Sequence, residues 1–502
     1  MNIFSVTKIR ANELKTIIHY TGYIAIVMGI MTIIPIICAL IYNDAKIYLN
    51  AFIISGIICI VSGLLMYYIF KEKNITNLSL KGSLIFVMSI WGFTALFAAL
   101  PYFFCGDLSL VDAFFEGMSG ITTTGFSMYD CYTFPYSISM WRVLTQWMGG
   151  LGIIFLLLVV APSSVSLKRL YFAEGKTEQM TPNIMHSATI FIKVYLIITA
   201  IGILLYLLIG LDLFDAICYS FASIGTGGYT IHPDSVNNFI NPSVQLVTII
   251  LMIMGATNFV LHYRIMKREW KNLHKDIELN AMLCLIIIAT ILIAISLYVN
   301  GLYNYDILTI GRHSLFQAVS ILTSTGFAST DINLWPPFAY HIIILLMFIG
   351  GSVCSTAGGI KIYNIMILLK AIWWETQRMF LPKNTIIKRK IYHDKKKRDI
   401  NDDTIRSITI FIIVYILIFV FSSMIVLIYT KNFEMAYTLV ASSMGNTGVG
   451  PAFINPGISI VVKIVLIIDF WVGRIGVWPL LLSIVYLTHM TVSKVYEIKD
   501  KI

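Results

Sequence analysis

The sequence predicts an all-α membrane protein of ten transmembrane helices, a two-helix N-terminal extension followed by four pseudo-repeats around one pore. Three observations predict it. The 502 residues are 58% hydrophobic and only 12% charged, with a mean hydropathy of +0.82. That is more apolar surface than a water-soluble core can hide. Apolar runs of about twenty residues, the length that crosses a bilayer, recur along the chain. Four hydroxyl- and glycine-rich breaks interrupt it: SGITTTGF (119–126), ASIGTGGY (222–229), ILTSTGF (321–327) and SMGNTGVG (443–450).

Spans are expected at about 17–43, 51–70, 83–104, 138–161, 188–210, 243–265, 280–299, 338–369 (interrupted), 405–430 and 458–490. The polar start, MNIFSVTKIRANELK, precedes a run long enough to cross, so no cleavable signal peptide is expected. Shorter apolar pieces at 111–122, 212–224, 312–323 and 433–444 suit re-entrant half-helices. Each ends at one of the four breaks. After residue 80 the order is therefore span, half-helix, glycine loop, span, four times over. The key glycines align as Gly125, Gly227, Gly326 and Gly448, at spacings of 102, 99 and 122 residues, an internal repeat. The expected units are the extension 1–80 and repeats 81–187, 188–275, 276–403 and 404–502.

Net charge is +10. A nucleic-acid partner is not implied, because the basic residues fall between spans, where they set orientation. Segments 1–17, 71–82, 163–193, 264–275, 370–406 and 490–502 hold 29 of the 36 Lys and Arg residues. All six lie on one side if there are ten spans. Both termini are then cytoplasmic and the glycine loops face outward. The basic run 383–399 is read as an orientation signal, with docking to an acidic partner or lipid as the alternative. The seven cysteines show no metal-ligand spacing and are read as apolar packing residues, a Cys105–Cys131 pairing being the alternative. Esterase, metalloprotease and nucleotide-binding motifs are absent, which argues against an enzyme.

Irregular backbone at membrane depth is tolerated where it lines an aqueous path. Four loops facing one another can offer rings of carbonyl oxygen that replace a cation's hydration shell. Each half-helix points its negative C-terminal end at that place. The loops contain no carboxylate, which suits a monovalent cation better than Ca²⁺ or Mg²⁺. Isolated Thr/Gly positions would mean only helix packing; four at matched positions argue for a filter.

DAFFEGMSGITTTGF (112–126), WRVLTQWMGGLGIIFL (141–156), RHSLFQAVSILTSTGFASTD (312–331), GGSVCSTAGGIKIYN (350–364) and GRIGVWPLL (473–481) resemble signature segments of the Trk/Ktr/HKT superfamily of potassium transporters. The likeness is greatest to its TrkH branch and covers nearly the whole chain. It implies four M1–P–M2 repeats, K⁺ as the transported ion without an organic cofactor, a homodimer in the lipid of the inner membrane, and a cytoplasmic nucleotide-binding regulatory subunit of the TrkA kind. It implies a filter of Thr123, Thr124 and Gly125; Gly225, Thr226 and Gly227; Ser324, Thr325 and Gly326; and Asn446, Thr447 and Gly448. The fourth loop departs from the family's Asn-x-Gly-Pro-Gly, its proline being displaced to Pro451. Serine at the first glycine position goes with Na⁺ in the family; glycine at all four implies K⁺. Passive gated flux is favoured over coupled symport because few intramembrane carboxylates are present.

Clustered glycines should unwind the eighth span at 350–361, since each costs roughly 1 kcal/mol against Ala in a helix. The alternative is a close helix contact. The resemblance implies a gating loop there, with Gly351, Ser352, Ser355, Gly358, Gly359 and Lys361, and Lys361 at the cavity or cytoplasmic mouth. Arg474 is an ionised residue inside the last span and so a functional candidate; the resemblance implies a pore charge beneath the filter. Here Ile475-Gly476 replaces the family's Leu-Glu, and Asp469 is a candidate partner. Glu116 is expected to bond the backbone behind the filter.

Overall fold

The computed structural model describes residues 11–70, 80–129, 134–152, 184–231, 241–269, 275–382, 385, 389–393, 396–450, 454–481 and 485. Cys131, most of the basic segment 163–193, the C-terminal tail 490–502 and part of the 383–399 run lie outside them. Cys105 is buried as a free thiol.

The extension is a helical hairpin. Helix α1 (Ala11–Met31) leads into α2 (Ile33–Ile41), and α3 (Lys46–Ile69) returns beside α1. The α1/α2 junction falls at Thr32, whose hydroxyl bonds the Gly29 carbonyl at 2.7 Å. Pro35 has no N–H to continue the ladder there. Gly22 lies against the Gly63 backbone and Gly29 against that of Gly56, the close approach that small residues permit between membrane helices. The turn between α2 and α3 supplies Asp44, which accepts from Ser137 N at 2.8 Å and so caps the helix entering at Tyr136.

Four units follow. The first is α4 (Leu80–Phe104), the half-helix α5 (Leu110–Ile121) and α6 (Tyr136–Leu151). The second is α7 (Ile184–Leu208), the half-helix α8 (Leu213–Ile224), and α9 (Pro242–Ala256) with α10 (Phe259–Met266). The third is α11 (Ile277–Val299), the half-helix α12 (Ile307–Leu322), α13 (Pro337–Met347) and α14 (Ile362–Phe380). A two-stranded hairpin, β1 (Lys390–His393) paired antiparallel with β2 (Lys396–Asp399), leads to the fourth unit. That unit is α15 (Asp402–Thr430), the half-helix α16 (Phe433–Gly445) and α17 (Ile460–Ile475).

The four half-helices appear where expected. The third begins five residues earlier than the apolar run suggests, at Ile307, because Asp306 caps it through Leu308 N at 3.2 Å. Ser109 and Asn432 cap the first and fourth in the same manner.

Among the described residues six helices are long and apolar enough to cross a membrane: Glu13–Ile41, Lys46–Ile69, Gly82–Phe104, His186–Leu208, Ile277–Val299 and Asp402–Thr430. After the first, second and fourth loops the element differs from the continuous span expected, whereas the interruption expected after the third is present. Helix α6 stops at Gly152, with φ +93°. Helices α9 and α10 meet at 105°, where Asn258 caps a new helix through Val260 N. Helix α13 gives way to non-helical backbone until Ile362, and α17 stops at Gly476, with φ +81°. All four breaks fall level with the ends of the half-helices: Gly149 meets the Ile121 carbonyl, Gly255 that of Ile224 and Gly473 that of Met444, while Met347 O meets Gly445. The core gathers around the half-helices, and the outer faces of α1, α3, α7, α11 and α15 carry exposed Ile, Leu and Phe, as lipid-facing helices do.

Candidate functional site

Each half-helix ends in one residue with left-handed backbone, followed two positions later by a glycine with positive φ. The pairs are Thr123 (φ +58°) with Gly125 (+90°), Thr226 (+51°) with Gly228 (+73°), Ser324 (+57°) with Gly326 (+84°), and Asn446 (+50°) with Gly448 (+73°). The intervening residue closes the same hydrogen bond in every loop: Thr124 N to Ser119 O, Gly227 N to Ala222 O, Thr325 N to Ser320 O and Thr447 N to Ser442 O. This fixes the register. In the second loop Gly228, rather than the Gly227 aligned by spacing, matches the other three glycines, and Gly225 sits at the end of its half-helix. The fourth loop falls in register at Asn446–Gly448 despite its displaced proline.

The loops abut in a closed cycle. A Cβ on Gly125 would meet the Gly227 carbonyl oxygen, one on Gly228 that of Thr325, one on Gly326 that of Thr447, and one on Gly448 that of Thr124, each at under 3.0 Å. Glycine is therefore required twice over, for its positive φ and for the absence of a side chain. Each glycine also brings the next loop's carbonyl against its own backbone. The order runs one, two, three, four and back to one. The structure thus brings together Thr123, Thr124, Ser324, Thr325, Asn446 and Thr447, all buried with Thr226.

The ring is braced differently in alternate units. In loops one and three a serine hydroxyl bonds the residue after the glycine, Ser119 to Phe126 O at 2.6 Å and Ser320 to Phe327 O at 2.7 Å. Paired hydroxyls also meet at 2.8 Å, Thr122 with Thr124 and Thr323 with Thr325. Loop two is held from outside by Gln146 of α6, whose Nε2 donates to Gly227 O at 2.6 Å while its Oε1 accepts from Tyr229 N at 3.1 Å. Loop four is held by Asn446, donating to Thr124 Oγ1 at 2.9 Å and Phe470 O at 3.0 Å.

Glu116 bonds the backbone behind loop one, as expected. Its Oε2 accepts from Met128 N at 2.8 Å and its Oε1 pairs with Arg142 Nε at 3.0 Å. Both side chains are buried, and the guanidinium lies over the rings of Phe134 and Tyr229 at 4.3 and 4.1 Å. A second buried pair, Lys463 with Asp112, ties α17 to the start of α5. Sequence reasoning missed Gln146, Arg142 and Lys463 as braces. The cue was available: each is a polar residue within an otherwise apolar stretch.

Beneath the ring, residues 348–361 are unwound, as the clustered glycines predict. The segment doubles back on itself, with Gly350 N bonding Ile360 O at 2.9 Å and Ile360 N bonding Phe348 O at 3.0 Å. Ser352 N donates to Ala256 O at 2.9 Å and Ser355 Oγ to Ser352 O at 2.6 Å. Thr356 reaches furthest: its Oγ1 lies 2.9 Å from both Ile224 O and Gly255 O and accepts from Thr226 Oγ1 at 3.1 Å. Gly351 rests against Ala256 and Gly358 against the Asn446 side chain. Gly359, with φ +66°, donates to Gly473 O at 3.1 Å. Glu278 of α11 accepts from Val353 N at 2.8 Å.

Arg474 donates to Thr123 Oγ1 at 3.1 Å and to the carbonyls of Thr356 and Gly149. It thereby joins loop one, the unwound segment and the end of α6. Asp469 does not pair with it; that carboxyl accepts from Ser422 Oγ at 2.8 Å. Arg474 and Lys361 line one cavity of about 400 Å³ below the segment, and Lys361 Nζ bonds the Ala357 carbonyl. Among the described residues no group of three or more His, Cys, Asp or Glu is placed to hold a metal. A cation at the ring would meet neutral oxygens.

The TrkH family model, described as a cation transport protein, matches residues 48–491. An uncharacterised cation transporter of Methanocaldococcus jannaschii is 30% identical, over 96% of this chain and 97% of its own. The potassium uptake protein TrkH of Escherichia coli is 29% identical, over 93% and 97%. The crystal structure of the potassium transporter TrkH from Vibrio parahaemolyticus superposes with a TM-score of 0.82 at 26% identity, covering 93% of this chain and 98% of that one. A predominantly helical chain with apolar helices long enough to cross a bilayer, matched along nearly its whole length, belongs to the TrkH family of cation transport proteins and is a transporter, not an enzyme.

Proposed function

We propose that this chain takes K⁺ up across the cytoplasmic membrane through a filter made by the four loops, with residues 348–361 and Arg474 as the barrier beneath. The observation that carries this reading is the closed cycle of glycine-to-carbonyl contacts among Gly125, Gly228, Gly326 and Gly448. Such a cycle surrounds an axis with backbone oxygens and excludes side chains from it. Neutral oxygens can replace the shell of a weakly hydrated monovalent ion. Glycine at all four corrected positions favours K⁺ over Na⁺. The helices broken level with the ring leave room below it, where the unwound segment and a fixed positive charge obstruct a cation.

In this reading the four units are M1–P–M2 repeats and the broken elements are their second spans, for ten crossings in all with both termini cytoplasmic. The same reading makes the chain a homodimer working with a cytoplasmic nucleotide-binding subunit of the TrkA kind; relatives named as Trk system uptake proteins support its place in a system with a regulatory subunit. Flux is passive and gated rather than coupled. Reconstitution in proteoliposomes tests this: K⁺ and Rb⁺ should pass in preference to Na⁺ and Li⁺, and an imposed proton gradient should not drive accumulation. Na⁺ passing as readily as K⁺, or uptake that needs the proton gradient, would replace this reading with that of a sodium-permeable or coupled carrier.

A further inference from the structure

A cavity of about 550 Å³ opens between α11 and α14, away from the ring. Its walls include Leu285, Met366 and Leu369, and its rim carries Lys275, Lys370 and Lys390. No carboxylate lies among the lining residues described. Asp399 stands 3.6 Å from Lys390, but the two side chains are 77% and 45% exposed, and such a pair is weak enough to leave the ammonium available to a second anion. Helix α14 continues the apolar wall outward through exposed Leu369, Ile372, Trp373 and Phe380, and exposed tryptophan is enriched at the membrane–water interface. The cavity thus joins a lipid-facing apolar surface to a cationic rim.

We propose that this cavity binds one anionic phospholipid of the cytoplasmic leaflet, its phosphate held by Lys275, Lys370 and Lys390 and an acyl chain laid between α11 and α14. The leaflet rests on the orientation given under Proposed function. Basic pockets between helices on that side suit anionic head groups. The apolar wall distinguishes a lipid from a soluble anion, which would gain nothing from Leu285 or Met366. The occupant would touch both supports of the unwound segment. Helix α14 begins directly after Lys361, and α11 carries Glu278, which holds Val353 N at 2.8 Å. A lipid wedged between those helices fixes their separation and thereby the seating of residues 348–361.

Native mass spectrometry of the purified full chain, titrated with phosphatidylglycerol or phosphatidylcholine, tests the site. Wild type should retain one phosphatidylglycerol per chain in preference to phosphatidylcholine. The triple variant K275Q/K370Q/K390Q should bind phosphatidylglycerol roughly a hundredfold more weakly and leave phosphatidylcholine retention unchanged, which also reports intact folding. Met366→Trp, which keeps the charges and fills the wall, should lower phosphatidylglycerol retention too. Equal retention of the two lipids, or undiminished phosphatidylglycerol on the triple variant, would overturn the site. Displacement of the lipid by equimolar inorganic phosphate or by an acidic peptide would do the same, in favour of a soluble anion or a protein partner. The measurement needs no transport: a chain that keeps its lipid but carries no cation faults the proposed function and not the lipid site.

Discussion

Arg474 donates to the hydroxyl of Thr123 at 3.1 Å, so a cation in α17 is bonded to the first loop of the ring. It also donates to the carbonyls of Thr356 and Gly149. One guanidinium therefore both places positive charge under the ring and clamps the unwound segment against α6.

Replacing Arg474 separates these two roles. A monovalent cation about 6 Å from a fixed charge meets roughly 3 kcal/mol of repulsion at an effective dielectric near 20, about a hundredfold in occupancy. Arg474→Ala should raise K⁺ flux toward that limit, while Arg474→Lys, keeping the charge, should hold flux near wild type. Arg474→Gln keeps some bonds without charge and should resemble Ala if repulsion dominates. Stopped-flow flux, read beside protein yield, checks the order. Well-folded Arg474→Ala protein with unaltered flux would remove the residue from the permeation argument.

Thr356→Val keeps the shape of the side chain but removes its bonds to Ile224 O, Gly255 O and Thr226. Buried acceptors left without partners cost about 1–3 kcal/mol, which should unseat the segment and raise flux several-fold. Deleting Ser352–Gly358 should raise it further and weaken its dependence on a regulatory subunit. Unchanged flux from an intact assembly would make the segment a packing element only.

The Glu116–Arg142 pair predicts an asymmetry. Arg142→Ala strands a buried carboxylate, and breaking such a pair costs roughly 3–5 kcal/mol. Glu116→Gln keeps an acceptor for Met128 N, and the guanidinium it leaves without a carboxylate keeps its contacts with Phe134 and Tyr229, so it should cost less. Thermal denaturation in detergent should rank Arg142→Ala well below Glu116→Gln and both below wild type. The reverse order would mean that the buried guanidinium left without its carboxylate is costlier than the stranded carboxylate.

Gln146 occupies the space that a side chain at Gly227 would need, since a Cβ there would meet its amide. The corresponding residues in the other loops are Thr124, Thr325 and Thr447. Gly227→Thr should therefore displace Gln146 and lower K⁺ over Na⁺ discrimination about tenfold, the loss expected from one or two buried hydrogen bonds. The added Gln146→Ala should restore part of the yield by clearing the clash. If Gly227→Thr alone behaves as wild type, the amide does not brace the loop.

The half-helices were legible from the sequence because each is an apolar run of about a dozen residues ending in a hydroxyl–glycine break. The unwinding at 350–361 was legible from four glycines in a short stretch. The breaks at Gly152, Thr257 and Gly476 were not, because hydropathy counts side chains and the apolar run continues across the change in backbone. Gly149-Gly150-x-Gly152 and the helix-capping Asn258 were the local signals. The sequence aligns the second loop one residue early because Gly227 and Gly228 are adjacent and composition does not distinguish them. Only φ and the carbonyl each glycine meets make that distinction. The partners of Arg474 were hidden for another reason: two of them are backbone carbonyls, which every residue carries.

The central claim, that four loops make one K⁺ filter, is tested most directly by the K⁺/Na⁺ permeability ratio in proteoliposomes of the single variants Gly125→Ser, Gly228→Ser, Gly326→Ser and Gly448→Ser. Each puts a side chain against the next loop's carbonyl at a positive-φ position. The account predicts that every one of the four lowers the ratio by more than it lowers protein abundance. A well-folded variant at any of these positions that keeps the wild-type ratio would contradict it.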